Sequence, residues 1–165
     1  TPQEITACIL DRPRHAKLIA DVRATGAAIR LIGDGDIAGV IYTVTPDESG
    51  IDIYIGSGGA PEGVLAAAAL RCIGGQIQGR LMPLKDDDYK RAEALGVKDI
   101  NRKYKTSELA AGDVFFAATG ITDGGMLRGV KFRAGGVETE TVVMRSATRT
   151  VRWIRARHGF ASAQG

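Results

Sequence analysis

Several residue types from which functional sites are commonly built are scarce in this sequence. Cysteine occurs only at positions 8 and 72, both within apolar stretches. Two such thiols behave as small buried hydrophobes, which points to a reducing compartment. Histidine occurs only as His15, with no cysteine or second histidine nearby, and as His158, in a basic tail. Neither position supports a histidine-based metal site or a Ser-His-Asp triad. The longest apolar run, from Gly63 to Leu70, is far short of the ~20 residues that span a bilayer, so no membrane partner is expected. The chain opens Thr-Pro-Gln-Glu-Ile, with no initiator Met and no charged-then-apolar leader. The expectation is a soluble, cytoplasmic protein whose given sequence begins inside a longer one.

A polybasic block is also lacking except near the C-terminus. Lys and Arg outnumber Asp and Glu by 22 to 19, and the formal charge of +3 is spread along the chain, so no nucleic-acid partner is expected. Arg145, Arg149, Arg152, Arg155 and Arg157 lie in a Val- and Thr-rich, strand-like stretch. A solvated face is the expected role for them, ahead of polyanion contact. Apolar residues make up 44% of the 165 and charged residues 25%, enough to bury the core of one domain.

The patterning alternates strand, loop and helix three times. Ile5 to Leu10 is a strand, Pro13 suits a helix start, and Leu18, Ile19 and Val22 place a helix over Arg14 to Thr25. Ala27 to Ile32 is a second strand, followed by a helix from Ile37 to Tyr42. Ile51 to Ile55 is a third strand, with a glycine-rich loop to Gly63 and a helix from Val64 to Ile73. A charged helix is expected from Asp86 to Leu95, where Asp86, Asp87 and Asp88 suit the positive end of the helix. Strands are predicted at Val114–Ala118, Met126–Phe132, Glu138–Met144 and Thr148–Ile154. This predicts an α/β fold with a mostly parallel sheet, an antiparallel C-terminal tail, and functional residues at the C-terminal strand ends.

Polar residues of chemical interest fall at those ends. Arg12 and Arg14 flank Pro13, a fixed backbone from which guanidinium groups can grip a phosphate bidentately; solvation is the plain alternative. Asp34-Gly35-Asp36 places two carboxylates about a flexible glycine, able to bind a divalent cation or sugar hydroxyls, or simply to cap a helix. The loop from Gly56 to Gly63 lets backbone N–H groups approach an anion. Glu62 within it either complements the helix dipole or, with a cation between, serves the same anion. Thr119 to Gly125 is either a second ligand loop or a hairpin turn through Asp123-Gly124, the turn being the favoured reading.

Taken together, Asp11-Arg-Pro-Arg-His15, Asp34-Gly-Asp36, Gly58-Gly-Ala-Pro-Glu-Gly63, Gln78-Gly-Arg80 and Ala117-Ala-Thr-Gly-Ile-Thr-Asp-Gly124 resemble the C-terminal half of class II fructose-1,6-bisphosphatases, over about Ile5 to Ile154. The resemblance implies a layered α/β sandwich of the lithium-sensitive sugar phosphatase superfamily. It also implies hydrolysis of the 1-phosphate of fructose 1,6-bisphosphate with Mn²⁺ or Mg²⁺, with sedoheptulose 1,7-bisphosphate as a substrate of photosynthetic relatives. Carried over residue by residue, it makes Arg12, Pro13, Arg14, Asp34, Gly35, Asp36 and Gly59 substrate-binding and Glu62 a metal ligand. No catalytic residue is assigned to this chain. The family's N-terminal half, which carries the other acidic ligands, is not in residues 1–165, which makes that half an implied partner. The same resemblance implies a homo-oligomer.

Overall fold

Ala7, Cys8, Ile9 and Leu10 are successive buried residues, a pattern that suits a strand covered on both faces rather than one exposed to water on alternate residues. In the computed structural model, which describes residues 1–160, β1 (Thr6–Leu10) is the middle strand of a three-stranded parallel sheet. It pairs with β2 (Ala28–Ile32) on one side, in the register Thr6↔Ala28 to Leu10↔Ile32. On its other side is the short β3 (Ile53–Tyr54), paired as Ala7↔Ile53 and Cys8↔Tyr54. A 3₁₀ turn at Pro13–His15 leads into α1 (Ala16–Ala24), which buries Ile19. Between β2 and β3 lie α2 (Asp36–Tyr42) and the single turn α3 (Pro46–Ser49).

The helix after β3, α4 (Ala60–Ile73), lies at the centre of the molecule. Ala66 and Leu70 pack with Val40 of α2. Ala69 and Cys72 pack instead with Phe116, Leu127, Val142 and Met144. The run Ala66 to Ala69 makes this possible, because short side chains let a helix approach neighbours on two sides. A two-stranded ladder of β4 (Gln78–Gly79) and β5 (Tyr104–Lys105) flanks α5 (Asp86–Ala94), and α6 (Thr106–Leu109) follows it. The second layer of strands is antiparallel: β6 (Phe115–Thr119), β7 (Lys131–Arg133), β8 (Gly136–Arg145) and β9 (Thr150–Gly159). Here β8 pairs with the other three. The register Phe116↔Met144 and Ala118↔Val142 sets one face against α4 and turns Phe115 outward. The pair α2 and α4 thus forms a helical layer between the two sheets.

Most predicted elements are present with ends shifted by a residue or two, but the last strand runs five residues past Ile154, to Gly159, and four further differences are larger or of another kind. The antiparallel part is more than a tail, with four strands against three in the parallel sheet, because β8 is long enough to serve three partners. The strand expected over Met126–Phe132 is confined to Lys131–Arg133; Leu127 is buried and Met126 half-buried by a loop packed against the core. Thr119 to Gly125 is not a hairpin turn, since β6 and β7 do not pair with each other but follow one another along the same edge of β8. Helix α4 begins at Ala60, inside the expected glycine loop, because Pro61 is well suited to a first turn.

The arginines of the C-terminal stretch lie along a sheet, Arg145 paired with Asp113 and Arg155 with Glu140. Both cysteines are buried and free, and burial raises their thiols above the ordinary range. Among the described residues, no helix is long and apolar enough to cross a membrane.

Candidate active site

The strand order β2-β1-β3 has a functional consequence. The chain leaves β1 toward β2, while it leaves β3 into α4, so the two connections diverge above neighbouring strand ends. Such a switch point opens the crevice in which α/β sheets bind ligands. Here it lies between residues 11–15 and residues 55–59.

The two connections are tied together by residues that follow each other in sequence. Arg14 Nε donates to the carbonyl of Ser57 at 3.0 Å. His15 is buried, with Nδ1 2.8 Å from the carbonyl of Leu10 at the end of β1. Its Nε2 accepts from the Ser57 N–H at 2.9 Å and lies 3.1 Å from the Ser57 hydroxyl. Arg12 turns the other way, donating to the carbonyl of Asp11 at 3.0 Å.

The carboxylates of the Asp34-Gly35-Asp36 turn separate. Gly35 has φ +75, a left-handed conformation that costs a residue with a side chain free energy. Asp36 becomes the first residue of α2 rather than its N-cap, and its Oδ1 accepts from the Ile37 N–H at 2.9 Å. Its Oδ2 points to the glycine loop, where a methyl group on Gly58 would stand 3.6 Å away. Asp34 is exposed and borders a different cleft, shared with Arg30, Tyr42, Thr122 and Gly124. That cleft joins the Asp34 turn to the loop after β6.

Glu62 is the third residue of α4, and its carboxylate folds back over Gly59, the N-cap; a methyl group on Gly59 would overlap Oε2. Two carboxylates therefore meet adjacent glycines, Asp36 at Gly58 and Glu62 at Gly59, beside Arg14. Tyr54 reports the same crowding. Burial pushes its phenol up to about 12, Asp36 and Cys8 add to the rise, and Arg14 opposes it. Both carboxylates offer hard oxygen donors of the kind Mg²⁺ and Mn²⁺ take. Among the described residues, no three His, Cys, Asp or Glu side chains cluster as a complete metal cage.

Arg14, Asp36, Gly59 and Glu62 are thus brought to one crevice, whereas the Arg12 side chain turns away from it and Asp34 borders the other cleft. Ser57, Tyr54 and the role of His15 were missed from sequence. The only local signal was a histidine directly after the Arg-Pro-Arg segment, and its partner is 42 positions away.

Comparison with known proteins identifies relatives of the chain. The sequence pattern of the family described as "Bacterial fructose-1,6-bisphosphatase, glpX-encoded" matches residues 1–158. Two Synechococcus proteins, from strains JA-3-3Ab and JA-2-3B'a(2-13), are each 41% identical over 94% of this chain and 48% of their own length. A Trichodesmium erythraeum protein is 37% identical over 98% of this chain and 50% of its own length. All three are named D-fructose 1,6-bisphosphatase class 2/sedoheptulose 1,7-bisphosphatase. The chain spans about half the length of these curated relatives. With nearly all of its residues matched by the family pattern, the chain belongs to the bacterial, glpX-encoded fructose-1,6-bisphosphatase family.

Proposed function

We propose that this chain is the substrate-gripping, C-terminal half of a cytoplasmic, metal-dependent sugar-bisphosphate phosphatase of the lithium-sensitive superfamily. It would act in the release of the 1-phosphate of fructose 1,6-bisphosphate, giving fructose 6-phosphate, and of a phosphate from sedoheptulose 1,7-bisphosphate. The observation that carries this reading is the convergence of Arg14, Asp36 and Glu62 on Gly58 and Gly59 at the crevice between β1 and β3.

Each group has a task suited to its chemistry. Arg14 spends Nε on Ser57, and its two terminal nitrogens grip the phosphate distal to the reaction. Backbone N–H groups at Gly58 and Gly59 lie before the positive end of α4, a setting that favours phosphate oxygens. Asp36 accepts hydrogen bonds from sugar hydroxyls in the crevice and Asp34 from those that reach its own cleft, with Gly35 and Pro13 setting the backbone on either side. Glu62, with Asp36 close by, would hold Mn²⁺ or Mg²⁺. When bound, such an ion neutralises charge on the scissile phosphate and activates a water. The remaining carboxylates and the water-positioning group belong to the N-terminal half, and the assembled enzyme is a homo-oligomer.

Phosphate release from fructose 1,6-bisphosphate with Mn²⁺ tests the reading, measured on this chain alone and mixed with the other half of a relative. Turnover in the mixture and none from the chain alone is the expected result. A second reading, a sugar-phosphate-binding module without chemistry, draws on the absence of a three-ligand cluster among the described residues. Fructose 6-phosphate binding with no turnover in either sample would favour it.

A further inference from the structure

We infer that His15 is a positioning residue: neutral and protonated on Nδ1, it fixes Ser57 and through it the loop that presents Gly58, Gly59 and Glu62. The inference rests on the reading of that loop as the substrate crevice.

Among the described residues, His15 is the one buried polar or charged side chain, 2% exposed. An imidazole is placed there at a desolvation cost unless both ring nitrogens are satisfied. Both are, and their partners dictate the tautomer. The carbonyl of Leu10 only accepts, so Nδ1 carries the hydrogen; the Ser57 N–H only donates, so Nε2 keeps its lone pair. A second ring proton would face the Ser57 N–H and break the arrangement.

Ser57 is held at every polar atom. His15 takes its N–H and meets its hydroxyl, and Arg14 donates to its carbonyl. Adjacent Gly56 passes close to both side chains, since a methyl group there would stand 3.3 Å from the Tyr54 hydroxyl and 3.4 Å from His15 Cε1. Gly58 and Gly59 follow directly. The end of β1 thus sets, through one imidazole, where the β3–α4 loop lies, and a site of this kind tolerates displacements of only ~0.5 Å. Glycines make the loop open to an anion but leave it entropically loose; His15 supplies the missing constraint.

The test uses the chain itself with His15→Asn, which keeps a donor near Nδ1 and loses the Ser57 end, and His15→Gln, which keeps an acceptor near Nε2. Long-range ¹H–¹⁵N spectra should show the Nδ1–H tautomer, and the Ser57 amide should be protected from hydrogen exchange. In His15→Asn that amide should exchange at least ~tenfold faster, as the loss of one hydrogen bond requires. Fructose 6-phosphate, titrated calorimetrically with Mn²⁺, should bind His15→Asn ~tenfold more weakly, with His15→Gln close to wild type. An Nε2–H tautomer, an unprotected Ser57 amide in wild type, or equal exchange in wild type and His15→Asn overturns the inference. If both variants unfold, the tautomer and the wild-type amide decide. If wild type binds no fructose 6-phosphate while Ser57 stays protected, the substrate reading fails and the hold of His15 on Ser57 stands.

Discussion

Arg14 Nε donates to the carbonyl of Ser57 at 3.0 Å, so a side chain displayed after β1 is hooked onto the loop that follows β3. The hook orients the guanidinium and leaves its terminal nitrogens for a ligand. Lysine can supply neither the anchor nor the two-pronged grip. Arg14→Lys in the assembled enzyme should raise KM about tenfold, the equivalent of one charge-assisted hydrogen bond, with kcat much less affected. Steady-state kinetics check this; a fall in kcat at unchanged KM would move the phosphate grip to Arg12.

Glu62→Gln keeps shape and removes charge. It should abolish turnover of the assembled enzyme and weaken Mn²⁺ binding, read by electron paramagnetic resonance, at little cost to thermal stability because Glu62 is exposed. Wild-type Mn²⁺ affinity in the variant would return Glu62 to a dipole-complementing role.

Gly59→Ala separates site from fold. Gly59 has φ −68 and ψ 150, which alanine adopts freely, yet the added methyl group would overlap the Glu62 carboxylate. The expected outcome is an unchanged melting temperature with weaker Mn²⁺ binding and lower activity. Undiminished activity would show that Glu62 does not work from the position it holds here.

Asp113 gives a pH dependence outside the site. Its carboxylate accepts from the Ser146 hydroxyl at 2.8 Å, from Arg145 at 3.0 Å and from the Ala147 N–H at 3.2 Å. The Ser146 bond, followed by that of Arg145, holds the carboxyl below its ordinary value. A lowered folded-state value means that the contribution is complete above the unfolded carboxyl range, about pH 4, and is lost as pH falls through the folded value. Asp113→Asn should therefore melt lower than wild type at pH 7, by an amount that shrinks below about pH 4. Thermal unfolding by circular dichroism across that range checks the convergence; a constant gap would refute the assignment.

Local pattern carried most of the fold. Apolar Ile5 to Leu10 announced a strand, Leu18, Ile19 and Val22 a helix face, and Gly74 the C-terminal end of α4. These signals depend on neighbours three or four positions away, or on backbone preferences of single residues. Met126 and Leu127 misled because an apolar pair in a loop packed against the core has the same composition as a strand. The pairing of β8 with three partners was likewise invisible, since a strand's pattern shows that it is half-buried and not who lies beside it.

The site divides along the same line. Sequence alone determined that Arg12, Arg14, Asp34, Asp36, Gly59 and Glu62 sit at strand ends and helix starts, because those positions follow from local periodicity and turn chemistry. Only the tertiary structure decided that Asp36 turns to Gly58 while Asp34 faces another cleft, and that His15 and Arg14 reach Ser57. Those relations cross from one β-strand connection to another, and their distances are set by the order β2-β1-β3, which places the loops after β1 and β3 side by side. That order is a property of packed sheets and helices, and no short stretch of sequence contains it.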